Sequence, residues 1–274
     1  MTLGEGHAMA QPTVQILGVR VHALSVAELN QRIAELVHRD THAVVANVNA
    51  HFFNLAYRQP ELRRFQNAAE LVFCDGAGVM LAARILGQRI PQRITYADWI
   101  WQLAEFAEPQ GFSFFFLGAR PGIAQRGAER LCARFPHLRV VGTQHGFFDR
   151  TPGGVENQAV IARINALQPD ILLLGMGMPL QERWLMQNWA RVRARVALTG
   201  GAVFDYLAGE LPRAPRWMTD HGLEWLGRLA IEPRRLWRRY VPGNPLFLWH
   251  VLQQRTGRLH LDQCSGDPDG GKRC

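Results

Sequence analysis

Two kinds of apolar pattern alternate along most of this chain. Short unbroken runs, such as Phe114-Phe115-Phe116-Leu117 and Ile171-Leu172-Leu173-Leu174, suit strands buried on both faces. Longer stretches, such as Ile123–Phe135 and Val155–Leu167, repeat apolar positions at helical spacing. The pattern predicts strands at 43–48, 71–74, 113–117, 139–141, 170–174 and 196–198, with a first strand near 16–21. Helices are predicted to about 38, from about 50, and at 78–86, 97–107, 123–135, 155–167 and 180–192. Ser25 and Glu28 have capping-box spacing and open the first of these helices. The alternation implies an α/β fold: a mostly parallel sheet with helices on both faces.

The texture changes after about Leu207. Arg and Trp then mix with few acids, from Arg213 to Arg239, which suggests a helical Arg/Trp-rich appendage. The expected organisation is a loose leader at 1–12, an α/β catalytic domain at 13–207, a membrane-proximal appendage at 208–255 and a disordered tail at 256–274. The apolar stretch 245–252 is too short to span a bilayer and is expected to lie at its surface. The net charge of +8 points to an anionic partner. No CxxC pair links Cys74, Cys132, Cys264 and Cys274, and the start lacks the basic-then-apolar pattern of a secretory signal, so a cytosolic, reduced chain is expected.

Several strand ends carry candidate chemistry. Gly118 to Gly122 forms a strand–turn–helix junction that suits a nucleotide diphosphate, or is simply a tight turn of small residues. Gly175 and Gly177 form a second such turn, with Gln181 one turn into the next helix as a sugar or base contact, or as polar decoration of a helix start. Asp75 follows the strand 71–74 directly, placed for general-base work or for capping the next helix. Asn47 and Asn49 end the preceding strand beside it, or serve as turn formers. Gly200-Gly201 closes the last strand. No DxD run or HExxH motif points to a metal, and none is expected.

Taken in order, NVNAHFFNLA, FCDGAGVMLAARILG, RITYAD, FLGARPGIA, HGFF, LLLGMGMPLQE, RAPRW and LEWLGRL-IEPRRL run through the chain. From about Val14 to Tyr240 it resembles the WecG/TagA/CpsF glycosyltransferases, which implies a Rossmann-like sheet with a topology of its own. The resemblance implies inverting transfer from a UDP-sugar to an undecaprenyl-diphosphate-linked saccharide, without metal or other cofactor. The donor sugar would be of N-acetylmannosamine type, its uronic acid, or glucose. Asp75 matches the family's proposed base, and Asn47 stands in an active-site motif where relatives often have Thr. The resemblance implies Gln181 as a sugar contact and Arg228, Arg235 and Arg238 on the diphosphate; Asn49, Arg93 of RITYAD, Gly118, Gly122, Gly175 and Gly177 are expected to bind substrate with them. It also implies a site on the inner face of the cytoplasmic membrane, an anionic lipid surface as partner, no nucleic acid, and room for a homo-oligomer. Two rival classes are an NAD-dependent oxidoreductase, whose GxGxxG is missing from the first strand, and a non-enzymatic basic module binding membrane or nucleic acid.

Overall fold

A computed structural model describes residues 12–259 and residue 261. The rest of the expected leader and most of the expected tail, with Cys264 and Cys274, lie outside the described residues.

The chain opens with an antiparallel hairpin, β1 (Thr13–Ile16) and β2 (Val19–His22). Leu17 at φ 45° and Gly18 at φ 74° make the two-residue turn, both in the left-handed region such a turn requires. The single strand expected near 16–21 is therefore split in its middle and stands outside the parallel sheet. Helix α1 (Val26–His38) follows with its capping box formed: Glu28 N donates to Ser25 Oγ, and Ser25 N donates to Glu28 Oε2 at 2.7 Å.

The body then runs β3 (Ala43–Val48), α2 (Ala50–Arg58), α3 (Pro60–Ala68), β4 (Leu71–Cys74), α4 (Ala77–Ile85), α5 (Tyr96–Ala107) and β5 (Ser113–Gly118). It continues α6 (Ile123–Arg134), β6 (Arg139–Gln144), α7 (Val155–Leu167), β7 (Ile171–Gly175), α8 (Leu180–Asn188), β8 (Val196–Thr199) and α9 (Val203–Ala208). The one helix expected from about residue 50 is two, because Pro60 restricts Gln59 to extended backbone and starts a new helix at its first position.

Six parallel strands form one sheet in the order β4-β3-β8-β7-β5-β6. Alternate residues of each inner strand feed opposite layers: Phe114, Phe116, Ile171 and Leu173 join α1, α5, α6 and α9, while Phe115, Leu117, Leu172 and Leu174 join α2, α3, α7 and α8. This double covering is why the strands read as unbroken apolar runs.

Two places in this topology matter for function. After β3 the chain leaves to the layer of α2, but after the neighbouring β8 it leaves to the opposite layer of α9. The same divergence separates β7, which leads to α8, from β5, which leads to α6. Divergence of adjacent strand exits opens a crevice at the carboxyl edge of such sheets.

Beyond Leu207 come α10 (Arg216–Asp220), α11 (Glu224–Ile231), α12 (Pro233–Tyr240) and α13 (Gly243–Arg255). In α13, Phe247 and Val251 are fully buried against α2 and α4. Gln254 ties its end to the first hairpin, accepting from Leu17 N at 2.7 Å and donating to Gln15 O at 2.9 Å. Trp249 on the same helix remains exposed. No helix among the described residues is long and apolar enough to cross a membrane.

Candidate active site

The ends of β8, β3 and β4 place Thr199, Asn47 and Asp75 side by side in the first crevice. Asp75 N donates to Val48 O at 2.8 Å, which extends the β3–β4 pairing past the strand end and fixes the backbone of the carboxylate. Asn47 Nδ2 donates to Asp75 Oδ2 at 2.7 Å. Thr199 Oγ donates to Asn47 Oδ1 at 2.9 Å. Asn47 and Thr199 are buried, whereas Asp75 is partly open.

Burial lifts the Asp75 carboxyl from the usual carboxylate range to about 6, against the opposing pull of the Asn47 hydrogen bond. Glu224 pushes in the same direction as burial, while Arg239 and Arg228 favour the charged form. A carboxylate so tuned is ionised at neutral pH yet more basic than a surface aspartate, which is the balance a general base needs.

The arginines come from the C-terminal helices. Arg228 of α11 lies over the Tyr206 ring, 5.5 Å from its centroid, and Arg239 of α12 is the more deeply placed of the α12 arginines. The Nε groups of both are buried without a hydrogen-bond partner among the described residues. Two half-buried guanidinium groups, of which Arg228 also pairs with Glu232 at 3.4 Å, keep buried Nε donors in reserve and are suited to an anion. Of the arginines expected to meet the diphosphate, Arg228 is brought towards Asp75. Arg235 and Arg238 are exposed: Arg235 pairs with Glu232 at 2.6 Å, and Arg238 lies over Trp237.

Arg93 lies just past Asp75, since Ile94 N donates to Cys74 O at 2.8 Å. Its guanidinium donates to Thr219 O at 3.0 Å and lies 3.4 Å from Glu224. Glu224 is held further by Arg213, which also pairs with Asp98. Arg93 thus braces the C-terminal segment over the crevice. Asn49 caps α2, accepting from Phe52 N at 3.1 Å. Gln181 is fully buried: its Oε1 accepts from Gly201 N at 3.0 Å and its Nε2 donates to Glu182 at 2.9 Å. It fastens the start of α8 to the turn after β8 and, so held, positions the crevice wall. Glu182 is itself buried, which raises its carboxyl to about 7.

The turn glycines divide into two kinds. Gly118 and Gly175 are there for close packing: a Cβ on Gly118 would sit 2.4 Å from the Gly175 backbone, and one on Gly175 would sit 2.4 Å from the Phe204 ring. Gly122 at φ 80° and Gly177 at φ 79° are left-handed and face open space, at the N-termini of α6 and α8. These open turns at helix starts offer backbone N–H groups and positive dipole to a phosphate. No three His, Cys, Asp or Glu side chains converge among the described residues as a metal site would require.

The sequence does not single out Thr199 or Glu224, and it leaves Arg239 at the end of the range 234–239 in which diphosphate arginines are expected. Thr199 carried the same signal as Asp75, a polar residue closing an apolar strand. Arg239 lies three residues after the buried Leu236 on α12 and so shares its inward face. Glu224 carried no comparable signal, because its partners Arg93 and Arg213 are distant or non-periodic in sequence.

A doubly covered parallel sheet, with a carboxylate and arginines at its carboxyl edge, is the setting of a group-transfer enzyme. The chain belongs to the glycosyl transferase WecG/TagA/CpsF family, whose model matches residues 14–260. It is therefore a glycosyltransferase. Among curated relatives, the N-acetylglucosaminyldiphosphoundecaprenol N-acetyl-beta-D-mannosaminyltransferase of Staphylococcus aureus strain MRSA252 is 25% identical over 244 residues, 88% of this chain and 93% of the relative. The protein of the same name from strain NCTC 8325 matches to the same extent. That of strain MW2 is 24% identical over the same length.

Proposed function

We propose that this protein transfers a sugar from a UDP-sugar, with inversion, to a saccharide carried on undecaprenyl diphosphate. The reading places it on the inner face of the cytoplasmic membrane, in the synthesis of a cell-surface polysaccharide. The named relatives make N-acetylmannosamine the first donor sugar to test and N-acetylglucosaminyl-diphosphoundecaprenol the first acceptor. The observation that carries the reading is Asp75, partly open in the crevice, held by Asn47 and facing Arg228 and Arg239.

In this scheme the acceptor hydroxyl oxygen attacks the anomeric carbon of the donor. The hydroxyl proton passes to Asp75 as the new C–O bond forms. The bond from the anomeric carbon to the diphosphate oxygen breaks on the opposite face, and UDP leaves with the bonding electron pair. One displacement inverts the anomeric configuration and needs a single base with no covalent intermediate. Arg228, Arg239 and the open turns before α6 and α8 stabilise the charge that develops on the diphosphate. The reaction is metal-independent, with guanidinium groups in the charge-neutralising role. Exposed Trp217, Trp237, Val241 and Trp249 and the exposed arginines of α12 form the membrane-facing side.

The test is UDP release from a panel of UDP-sugars, with synthetic lipid-diphosphate saccharides as acceptors and EDTA present. Acceptor-dependent release by the natural chain, lost in a folded Asp75→Asn variant, is the expected result. Undiminished release by Asp75→Asn would remove Asp75 from its role.

A further inference from the structure

We propose that Thr199 is a positioning residue for the reaction: its hydroxyl sets which end of the Asn47 amide faces Asp75, and so which carboxylate oxygen takes the proton. This rests on the reading of Asp75 as the base.

The geometry is a closed pair of bonds. Asn47 N donates to Thr199 Oγ at 3.0 Å, and Thr199 Oγ donates back to Asn47 Oδ1 at 2.9 Å. A hydroxyl has one proton to give and two lone pairs; the backbone N–H of Asn47 takes one lone pair, and the proton goes to the amide oxygen of the same residue. With Oδ1 held from β8, the NH2 end of Asn47 must point the other way, to Asp75 Oδ2 at 2.7 Å. Thr199 is 0% and Asn47 2% exposed, so solvent does not compete for these bonds. Gln66 Nε2 adds a bond to Asn47 O at 3.3 Å, which holds the same residue from α3.

Two consequences follow. Oδ2 of Asp75 is engaged by Asn47, and Oδ1 has no partner among the described residues, so Oδ1 is the oxygen that receives the acceptor's proton. The amide donor also steadies the ionised form of the base. If Asn47 turned over, its carbonyl oxygen would face the carboxylate and repel it. The ionised state would then become less favourable. The other groups acting on Asp75 or acted on by it are Glu224 and Arg228 from α11, Arg239 from α12, Tyr96 from α5 and Cys74 from β4, whereas the side-chain hydrogen bonds of Thr199 are with Asn47.

Thr199→Val keeps the shape and removes the hydroxyl, whereas Thr199→Ser keeps the hydroxyl. Full-length variants are compared with Asp75→Asn for kcat, donor KM and the pH dependence of kcat/KM. Thr199→Val is expected to lower kcat up to about tenfold, the value of one neutral hydrogen bond. Donor KM should change little, and the acidic limb of the pH profile should move to higher pH. Thr199→Ser should retain both the natural rate and the natural limb. Natural kcat and an unmoved limb in Thr199→Val would overturn the proposal. If the valine variant does not fold, Thr199→Cys, whose thiol is a weak donor, is judged by the same two readouts. Failure of the underlying reading is separate: Asp75→Asn would then remain active, whereas an inactive Asp75→Asn beside a normal Thr199→Val sinks only the role of Thr199.

Discussion

Arg93 Nη1 lies 3.4 Å from Glu224 Oε2, a contact that joins the loop beside the base to the first turn of α11. With its bond to Thr219 O, Arg93 ties the loop beside β4 to the C-terminal helices at two points. Both side chains are mostly buried, 18% and 15% exposed, so the pair is better shielded than a surface ion pair. Arg93→Ala should free the segment 209–241. Limited proteolysis should cut it there faster than the natural chain, and turnover should fall. A raised donor KM with unchanged cleavage would assign Arg93 to substrate instead of to this brace.

The pH response follows from the base. Burial raises Asp75 to about 6, and a general base acts only when ionised. Turnover should therefore hold at neutral pH and fall by about tenfold per pH unit once the pH drops below that value. A kcat/KM profile over the acidic range reads this directly. Removing Arg239, which favours the ionised form, should move the limb to higher pH.

Glu182 makes a prediction about stability. Its folded carboxyl is raised to about 7 from an ordinary value of 4.5, so the folded protein binds this proton more tightly than the unfolded chain. Its contribution is fully present below 4.5 and is lost as the pH rises through about 7. Glu182→Gln removes that loss while keeping an acceptor for Gln181. The variant should gain Tm relative to the natural chain at pH above about 7, and the gain should shrink towards acidic pH. Equal Tm differences at both ends would contradict the burial argument.

The two kinds of turn glycine should separate experimentally. Gly118→Ala drives a Cβ into the Gly175 backbone and should cost about 3 kcal/mol or more in thermal or denaturant unfolding. Gly122→Ala meets open space, and its left-handed backbone should cost only about 1 kcal/mol. Its effect should appear instead as weaker UDP binding, measured by calorimetry.

The arginines should separate as well. Arg228→Ala should lower turnover on soluble acceptor analogues. Arg238→Ala, on an exposed side chain, should leave that turnover unchanged and weaken binding to vesicles containing anionic lipid. Vesicle binding by the natural chain should decline with added salt.

Much of the sheet was legible because buried parallel strands leave unbroken apolar runs, and β3, β4 and α7 occupy the predicted residues. The first hairpin was not, because Leu17 adopts a left-handed turn that leucine does not advertise. Asn47 and Asp75 were legible as polar residues ending apolar strands. That they could lie side by side was legible too, but which end of the Asn47 amide meets the carboxylate was not, since it involves Thr199 of β8, 152 positions from Asn47. The glycines were visible, but their separate reasons were not: only the packing of β5 against β7 distinguishes Gly118 from Gly122. The inward turn of Arg239 emerged from the orientation of α12 about the buried Leu236.

The central claim is that Asp75 is the base of a sugar transfer from UDP to a lipid-linked acceptor. The most direct measurement is UDP release with UDP-N-acetylmannosamine and N-acetylglucosaminyl-diphosphoundecaprenol, in EDTA, for the natural chain and Asp75→Asn side by side. The account predicts acceptor-dependent release by the natural chain and a loss of at least about a hundredfold in a variant that still folds and binds UDP. Equal release by the two proteins would contradict it.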